Sequence, residues 1–210
     1  YYTIYLRNLD TNKNEEDIIE NTSGGISWSL DSKSFFYSKL DKFHRPRQIF
    51  KHILGTTVKK DKLIFEEKDE TFTCSISLSS DENFFVISTS DHITTEEHFF
   101  PSNTNEIKPV LFQKRVKDVR YSIDSWKGFF YVHTNENARD YKILRCKVTD
   151  IEALEEFIPA KKETVIGDRV RQAFENRGIA VTSTAGYVSN AHGRAERAVL
   201  FLQELSLIHI

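Results

Sequence analysis

The sequence offers few residues in spacings that could attack a peptide bond or another acyl group. None of its eight glycines frames a serine in the Gly-x-Ser-x-Gly pattern, which holds a nucleophilic serine on a strained turn between strand and helix. The nearest match, residues 186–190, ends in asparagine instead of glycine. Because acyl transfer needs a nucleophile, a base and oxyanion donors in one place, we predict no catalytic residue in this chain. Substrate-binding residues stay unassigned.

Histidines are the next candidates for acid–base or metal chemistry. His92 follows Asp91, and His98 follows Glu96 and Glu97, so both could be drawn as acid–base pairs or metal ligands. The chain lacks the His-Glu-x-x-His and Cys-x-x-Cys spacings of zinc sites. We therefore predict structural roles for all seven histidines, with no metal and no cofactor: His44, His52, His92, His98, His133, His192 and His209.

The cysteines and charges limit the compartment and the partners. Cys74 and Cys146 lie in alternating apolar runs, which favours free core thiols in a reducing compartment, here the cytoplasm, although a disulfide between them stays possible. Net charge is −2, and the basic clusters at 44–47, 59–62 and 114–117 are short and lie beside acids. Such a balance predicts no nucleic-acid partner. No apolar run is long enough to predict a membrane span.

The elements that carry these residues repeat along the chain. The doublets Phe35-Phe36, Phe84-Phe85 and Phe129-Phe130 recur at spacings of 49 and 45 residues. Each doublet follows a strand-like alternation and a polar turn, and each precedes two further apolar runs. Four strands every 45–50 residues are typical of β-propeller blades, whereas a β-sandwich, the alternative, would not repeat at a fixed offset.

The predicted fold is therefore all-β: a partial β-propeller of about three and a half four-stranded blades, followed by a short α/β or helical C-terminal tail. The propeller covers residues 1–163, with a half blade at 1–23 and blades at 24–69, 70–116 and 117–162. The chain has no methionine and begins inside an alternating pattern. We therefore expect it to be a fragment.

Residues 164–210 do not continue the repeat. They predict a helix at 168–175, a short strand at 179–181 and a second helix at 195–205. The last six residues, 205–210, are similar to translated adapter sequence, so the tail is interpreted as chimeric or artefactual. A genuine βαβ-like insertion is the alternative.

Several segments resemble the propeller domain of the prolyl oligopeptidase family, of the oligopeptidase B (protease II) type. The resemblance covers about residues 1–165 and fixes turn and loop residues as well as apolar positions. The segments occur in the family's order: residues 21–28, 41–46, 54–56, 65–69, 88–92 and 131–135.

That resemblance implies a two-domain serine peptidase, a hydrolase that cleaves short peptides after Lys or Arg. Its partner domain, an α/β-hydrolase, would carry the catalytic residues, and the propeller would cap the active site and exclude large folded proteins. This chain would then supply part of the cap and no catalysis.

Two other functions remain open. The first is a stand-alone propeller that binds a peptide or protein in its channel. The second is a small α/β enzyme centred on residues 165–210, for which the sequence offers side chains without a recognised motif: Ser183, Thr184, Ser189, His192 and Glu196.

Overall fold

The computed structural model describes residues 1–104 and 106–160, which form β-strands joined by turns and one short 3-10 helix, Val58–Lys60. The chain divides into two compact units, Tyr1–Asp118 and Val119–Ile210. The strands are β1 Tyr2–Asn8, β2 Lys13–Trp28, β3 Ser34–Leu40, β4 Pro46–Ile53, β5 Lys62–Glu66, β6 Thr73–Leu78, β7 Phe84–Ser90, β8 Thr95–Pro101, β9 Val110–Gln113, β10 Tyr121–Trp126, β11 Phe129–Thr134, β12 Lys142–Lys147 and β13 Asp150–Ile158.

The first sheet has the order β1-β2-β3-β4-β5, with all neighbours antiparallel. Its strand β2 turns back on itself. Asp17 Oδ1 lies 3.3 Å from His52 Nε2. Trp28 pairs with Phe35, which in turn pairs with His52, so residues 17 and 28 of the same strand are both within two strands of His52. An extended strand would separate residues 17 and 28 by about 36 Å. The reversal falls where Asn21 and Gly24 adopt positive φ.

This reversal lays a hairpin, made of β1 and the first half of β2, against one face of the rest of the first sheet. Ile4, Leu6 and Ile19 of the hairpin pack on Phe35 and Tyr37 of β3. We call this contact the hairpin interface. Side chains alternate between the two faces of a strand, so Phe36 points away from the hairpin.

The second sheet, β6-β7-β8-β9, packs on that opposite face of the first. The Phe36 ring lies 4.6 Å from Phe85 and 5.6 Å from Phe100, measured between ring centroids. Ile49, Cys74 and Ile87 complete the buried cluster. We call this contact the sheet interface. Each Phe doublet therefore places one ring on each face of its sheet.

The spacing of 49 residues between the first two Phe doublets pairs Phe35 with Phe84, and this pairing is wrong by one residue. The turns that precede them match at a spacing of 50: Ser29 N–H donates to Ser34 O at 2.9 Å, as Ser79 N–H donates to Phe84 O at 2.8 Å. Phe35 therefore corresponds to Phe85, and Phe84 to Ser34. A shift of one residue moves a side chain to the other face. Consistent with this register, each of the two residues packs on the unit that precedes its sheet in the chain, which we call the preceding module. Phe35 packs on the hairpin, and Phe85 packs on the first sheet.

The second unit contains the third sheet, β10-β11-β12-β13. Phe130, Val132 and Thr134 on one face of β11 are buried. On the other face, Tyr131 meets Phe157 edge to face at 5.2 Å, and the Arg145 guanidinium lies over the Phe129 ring. This sheet is again an antiparallel meander of four strands.

The predicted fold class, an all-β partial propeller, is confirmed by the sheets of four and five antiparallel strands. The division into blades at 23/24, 69/70 and 116/117 stays a prediction. The predicted tail elements at 168–175, 179–181 and 195–205 lie outside the described residues, as do the side chains proposed for a tail enzyme: Ser183, Thr184, Ser189, His192 and Glu196.

Candidate functional site

An ion cluster closes one end of the sheet interface. Arg115 Nη2 lies 2.6 Å from Glu67 Oε2, which follows the first sheet, and 2.8 Å from Glu96 Oε1 in the second sheet. The guanidinium also stacks 4.0 Å from the centre of the Phe72 ring. Because one cation joins carboxylates from both sheets, the cluster fixes how they meet at this end.

The electrostatics of this cluster favour its charged form. Burial opposes the charge of Glu96, but hydrogen bonds from the side chain and backbone N–H of Arg115 outweigh it and hold the pKa of the carboxyl below its ordinary value. Burial likewise opposes the Arg115 charge, and the two carboxylates raise the guanidinium pKa. Glu96 and Arg115 therefore stay ionised at neutral pH.

A second polar cluster lies inside the hairpin interface, and we call it the buried histidine network. The His52 side chain has no exposed surface, and its Nδ1 lies 2.7 Å from Asp61 Oδ1. Its Nε2 lies 3.3 Å from Asp17 Oδ1, a close contact without hydrogen-bond alignment. The remaining carboxylate oxygens accept hydrogen bonds from Tyr37 Oη at 2.7 Å and from Gly55 N–H at 3.0 Å.

This network cannot contact a substrate in this structure, because its side chains are enclosed. The side chains of Asp61 and Asp17 are 1% and 7% exposed. Burial, and then the hydrogen bond to Asp61, raise the pKa of Tyr37 above its ordinary value. The phenol is therefore a hydrogen-bond donor and not a nucleophile at neutral pH.

The structure separates the side chains around His98. Because successive residues of β8 point to opposite faces, His98 shares a face with Glu96 while Glu97 lies on the other. Glu97 is fully buried, and burial raises its pKa to about 8, although hydrogen bonds from Ser88 lower it. The His98 ring packs 4.8 Å from Phe65, and burial lowers its pKa.

The other predicted candidates are dispersed. The Asp91 carboxylate accepts hydrogen bonds from the backbone N–H groups of Ile93 and Thr94. These bonds shape the turn that carries the exposed His92. Half-buried His133 stacks on Tyr141 at 4.6 Å, and its partial burial lowers its pKa to about 4. In the described part of the chain, no group of three or more His, Cys, Asp or Glu side chains could hold a metal ion.

The basic clusters lie in ion pairs and on the surface. Arg45 and Arg47 contact Asp41, Arg47 donates to Glu67 O, and Arg115 belongs to the ion cluster. Cys74 and Cys146 are buried free thiols, and burial raises their pKa values to about 12 and about 11. Among residues 1–104 and 106–160, no helix is long and apolar enough to cross a membrane.

Taken together, the repeated meanders define a β-propeller domain, and the described side chains serve to join its modules. The sequence profile of the prolyl oligopeptidase N-terminal β-propeller domain matches residues 1–184. The chain belongs to this family. The match extends past residue 163, where the predicted propeller ends.

Two relatives show the same relationship in sequence. Protease 2 of Moraxella lacunata is 34% identical over 152 residues, which cover 71% of this chain and 22% of that protein. Dipeptidyl aminopeptidase BI of Pseudoxanthomonas mexicana is 31% identical over 145 residues, which cover 68% of this chain and 20% of that protein. The chain thus spans about a fifth of the length of these relatives.

Solved structures agree on the fold. Oligopeptidase B from Leishmania major superimposes with a TM-score of 0.72 at 22% identity, over 76% of this chain and 23% of that one. Prolyl oligopeptidase B from Galerina marginata, bound to a 25mer macrocyclization substrate, gives 0.63 at 19% identity, over 79% and 27%. The resemblance to oligopeptidase B and its family is therefore confirmed.

Sequence reasoning missed the side chains that join the modules. His52, Asp17 and Asp61 are far apart in sequence, as are Glu67, Glu96 and Arg115, and no motif links them. The only available signal was position: His52 stands in β4 where an apolar side chain is expected on a buried face.

Proposed function

We infer that this chain is part of the cap of a serine oligopeptidase that cleaves short peptides after Lys or Arg, and that the chain itself performs no catalysis. The cap admits short peptides to an α/β-hydrolase domain of the same protein and excludes folded proteins. The observation that carries this proposal is the match of residues 1–184 to the prolyl oligopeptidase propeller.

Three further observations support it. The sequence contains no Gly-x-Ser-x-Gly motif, so a nucleophile of that type must come from elsewhere. The chain covers only 22% of Protease 2, which leaves room for a catalytic domain. The Galerina relative has been captured with a 25mer substrate, which favours peptides as the substrate class. The Lys/Arg preference rests on the resemblance to oligopeptidase B.

The test compares the chain with the full-length protein that the proposal requires. Fluorogenic peptides of matched length carry Lys, Arg, Pro or Ala before the scissile bond, and the Lys sequence is also placed in a stable folded protein. We expect the full-length protein to cleave the short Lys and Arg peptides only, and the 210-residue chain to cleave none.

Two results would overturn the proposal. Hydrolysis by the chain alone, abolished by a serine-directed inhibitor, would place a catalytic site in it. Equal cleavage of the free and the folded Lys sequences by the full-length protein would contradict size selection.

We further propose a cytoplasmic location. The two buried free thiols, Cys74 and Cys146, support it because disulfides are rare in reducing compartments. Fractionation of cells that express the full-length protein tests this, and recovery with secreted proteins would contradict it.

A further inference from the structure

One of the three basic clusters in the sequence, residues 59–62, is separated from its acid by folding. The acid is Asp61, whose side chain is 1% exposed: its Oδ1 lies 2.7 Å from His52 Nδ1, and its Oδ2 accepts a hydrogen bond from Tyr37 Oη. The three lysines of the cluster are exposed. Because Asp61 is engaged in the buried histidine network, it does not pair with the lysines beside it in sequence.

The other two basic clusters are compensated. Arg45 and Arg47 contact Asp41, and Arg115 belongs to the ion cluster. In the described part of the chain, by contrast, the ion pairs that contain a lysine leave out the cluster 59–62. Its three positive charges therefore have no carboxylate partner among the described residues.

Two more lysines extend this charge across one end of the first sheet. Lys51 of β4 pairs directly with Lys62 of β5, so both side chains project from the same face, where like charges repel. Lys33 adjoins the loop between these strands, because its carbonyl accepts the N–H of Leu54 at 3.0 Å. Neither Lys33 nor Lys51 forms an ion pair within the residues that the structure describes.

Asp31 offsets part of the charge. Its carboxylate accepts hydrogen bonds from Ser29 Oγ and from the N–H of Lys33, which lower its pKa, and the charges of Lys33 and Lys51 lower it further. Five lysines thus share this end of the sheet, and no ion pair of the described chain contains any of them. We call them the lysine surface: Lys33, Lys51, Lys59, Lys60 and Lys62.

The lysine surface lies along a strand edge. β5 is the last strand in the order of the first sheet, so among the described strands it pairs on one side only, with β4. Leu63 of β5 is 44% exposed, and strand alternation places it on the face opposite Lys62. An extended peptide can add a strand to such an edge through backbone hydrogen bonds, while its side chains meet those of the edge strand.

Charge decides which segment pairs there. Lysine on an edge strand opposes pairing with a basic strand or with another copy of the same edge, whereas opposite charges directly across two strands stabilise the pair. The exposed apolar neighbour, Leu63, is aliphatic, whereas proteins that bind single-stranded nucleic acid stack bases on aromatic side chains. Lysines on one face and an aliphatic residue on the other fit a peptide in which acidic and apolar side chains alternate.

We propose that the lysine surface and the edge of β5 bind an extended acidic segment of another protein. The segment adds a strand to the first sheet beyond β5. Its carboxylates meet Lys51 and Lys62 on one face, and its apolar side chains meet Leu63 on the other. This interaction is independent of the proposed peptidase cap, since it requires no catalytic domain.

Fluorescence anisotropy with the 210-residue chain tests this binding. The probe is a labelled peptide of about ten residues in which glutamate and valine alternate, which suits a strand with two different faces. Three control probes of the same length replace glutamate by lysine, replace valine by proline, which cannot form a strand ladder, or are single-stranded DNA. We expect the Glu-Val peptide to bind at least about tenfold more tightly than each control, and its affinity to fall as salt screens the charges.

Two double variants with the same loss of charge locate the site. Lys51→Gln with Lys62→Gln removes the facing lysines, and Lys114→Gln with Lys117→Gln removes two exposed lysines from another basic cluster. We expect the first pair to weaken binding of the Glu-Val peptide at least about fivefold and the second less than about twofold, because only the first pair contacts the peptide. Equal weakening would reveal an effect of net charge alone and would overturn the proposal.

Lys62→Glu separates loss of binding from loss of folding. Glutamate opposite Lys51 replaces a repulsive cross-strand pair by an attractive one, so this variant should melt no earlier than the wild type and yet lose the Glu-Val peptide. If it melts earlier, the comparison of the two double variants still decides. Retained binding by Lys62→Glu, or binding of any control probe as tight as that of the Glu-Val peptide, would overturn the proposal.

Discussion

At the scale of single residues, the ionisable side chains with the largest structural roles are buried ones that contact a partner of opposite charge. Glu67 and Glu96 are almost enclosed and share one arginine, whereas Lys108 and Glu106 form an ion pair with both partners 75% exposed. Water and salt screen an exposed pair, so that its contribution is small, but removal of one partner from a buried cluster leaves an uncompensated charge.

We predict that Arg115→Met lowers the free energy of unfolding by roughly 3 kcal/mol, because Glu67 and Glu96 then lose their shared cation while the aliphatic stem still packs on Phe72. Urea unfolding measures the change. Lys108→Met is the control and should change stability by less than about 0.5 kcal/mol. Equal effects of the two substitutions would show that the cluster does not join the sheets.

The pH dependence of stability should reveal Glu97. Its pKa rises from an ordinary value of 4.5 to about 8 on folding, so the folded state holds a proton that the unfolded state has lost. Stability therefore falls as pH rises from 4.5 to 8. Glu97→Gln removes this loss, and we expect the variant to exceed the wild type by roughly 4 to 5 kcal/mol at pH 8.5 and to equal it near pH 4.

Urea unfolding at a series of pH values tests this expectation. Glu106→Gln, at an exposed side chain, is the control and should leave the pH profile unchanged. A constant difference between Glu97→Gln and the wild type at all pH values would contradict a buried, protonated carboxyl group.

At the scale of elements, the turns set the register of each meander. The first two sheets use matching six-residue turns in which Ser29 and Ser79 donate to Asp31 and Asp81. The third sheet uses a two-residue turn, Lys127-Gly128, between the paired residues Trp126 and Phe129. Both turn residues have positive φ, 49° and 80°, as a type I′ hairpin requires.

We predict that Gly128→Ala destabilises the chain by about 1 kcal/mol, because alanine pays a steric cost in the left-handed region. No other atom lies within 4 Å of the position of the new Cβ, so the effect isolates the backbone. Gly25→Ala is the matched control, since Gly25 has no positive φ and an equally open Cβ position. Equal losses for the two variants in thermal unfolding would contradict this explanation.

At the scale of the whole molecule, the described chain presents strand edges as well as faces. Strand β1 is at the edge of the first sheet, and its Tyr2 and Tyr5 side chains are 66% and 63% exposed. Exposed edges with large side chains promote pairing with another chain. The isolated chain should therefore associate with itself.

We predict that Tyr5→Lys lowers self-association several-fold in sedimentation experiments, because a charge on an edge strand opposes edge pairing. Leu9→Lys adds the same charge at an exposed residue in the turn after β1 and is the control. Equal reduction by both variants would indicate a general effect of net charge instead of pairing through β1.

The sequence by itself determined the class of fold and the family. Alternation of apolar residues, polar turns and a repeat of 45–50 residues depend only on local spacing, and they correctly predicted antiparallel sheets in an all-β partial propeller. Even here the repeat of Phe35-Phe36 and Phe84-Phe85 gave the wrong register by one residue, because the turn hydrogen bonds at Ser29 and Ser79, and not the doublets, set the alignment.

Only the tertiary structure decided which side chains join the modules. Asp17, His52 and Asp61 meet because β2 reverses direction, and Glu67, Glu96 and Arg115 meet because two sheets pack face to face. These contacts depend on the direction of the chain over tens of residues and on burial, which no local pattern encodes. Periodicity specifies the elements, but their packing creates the sites.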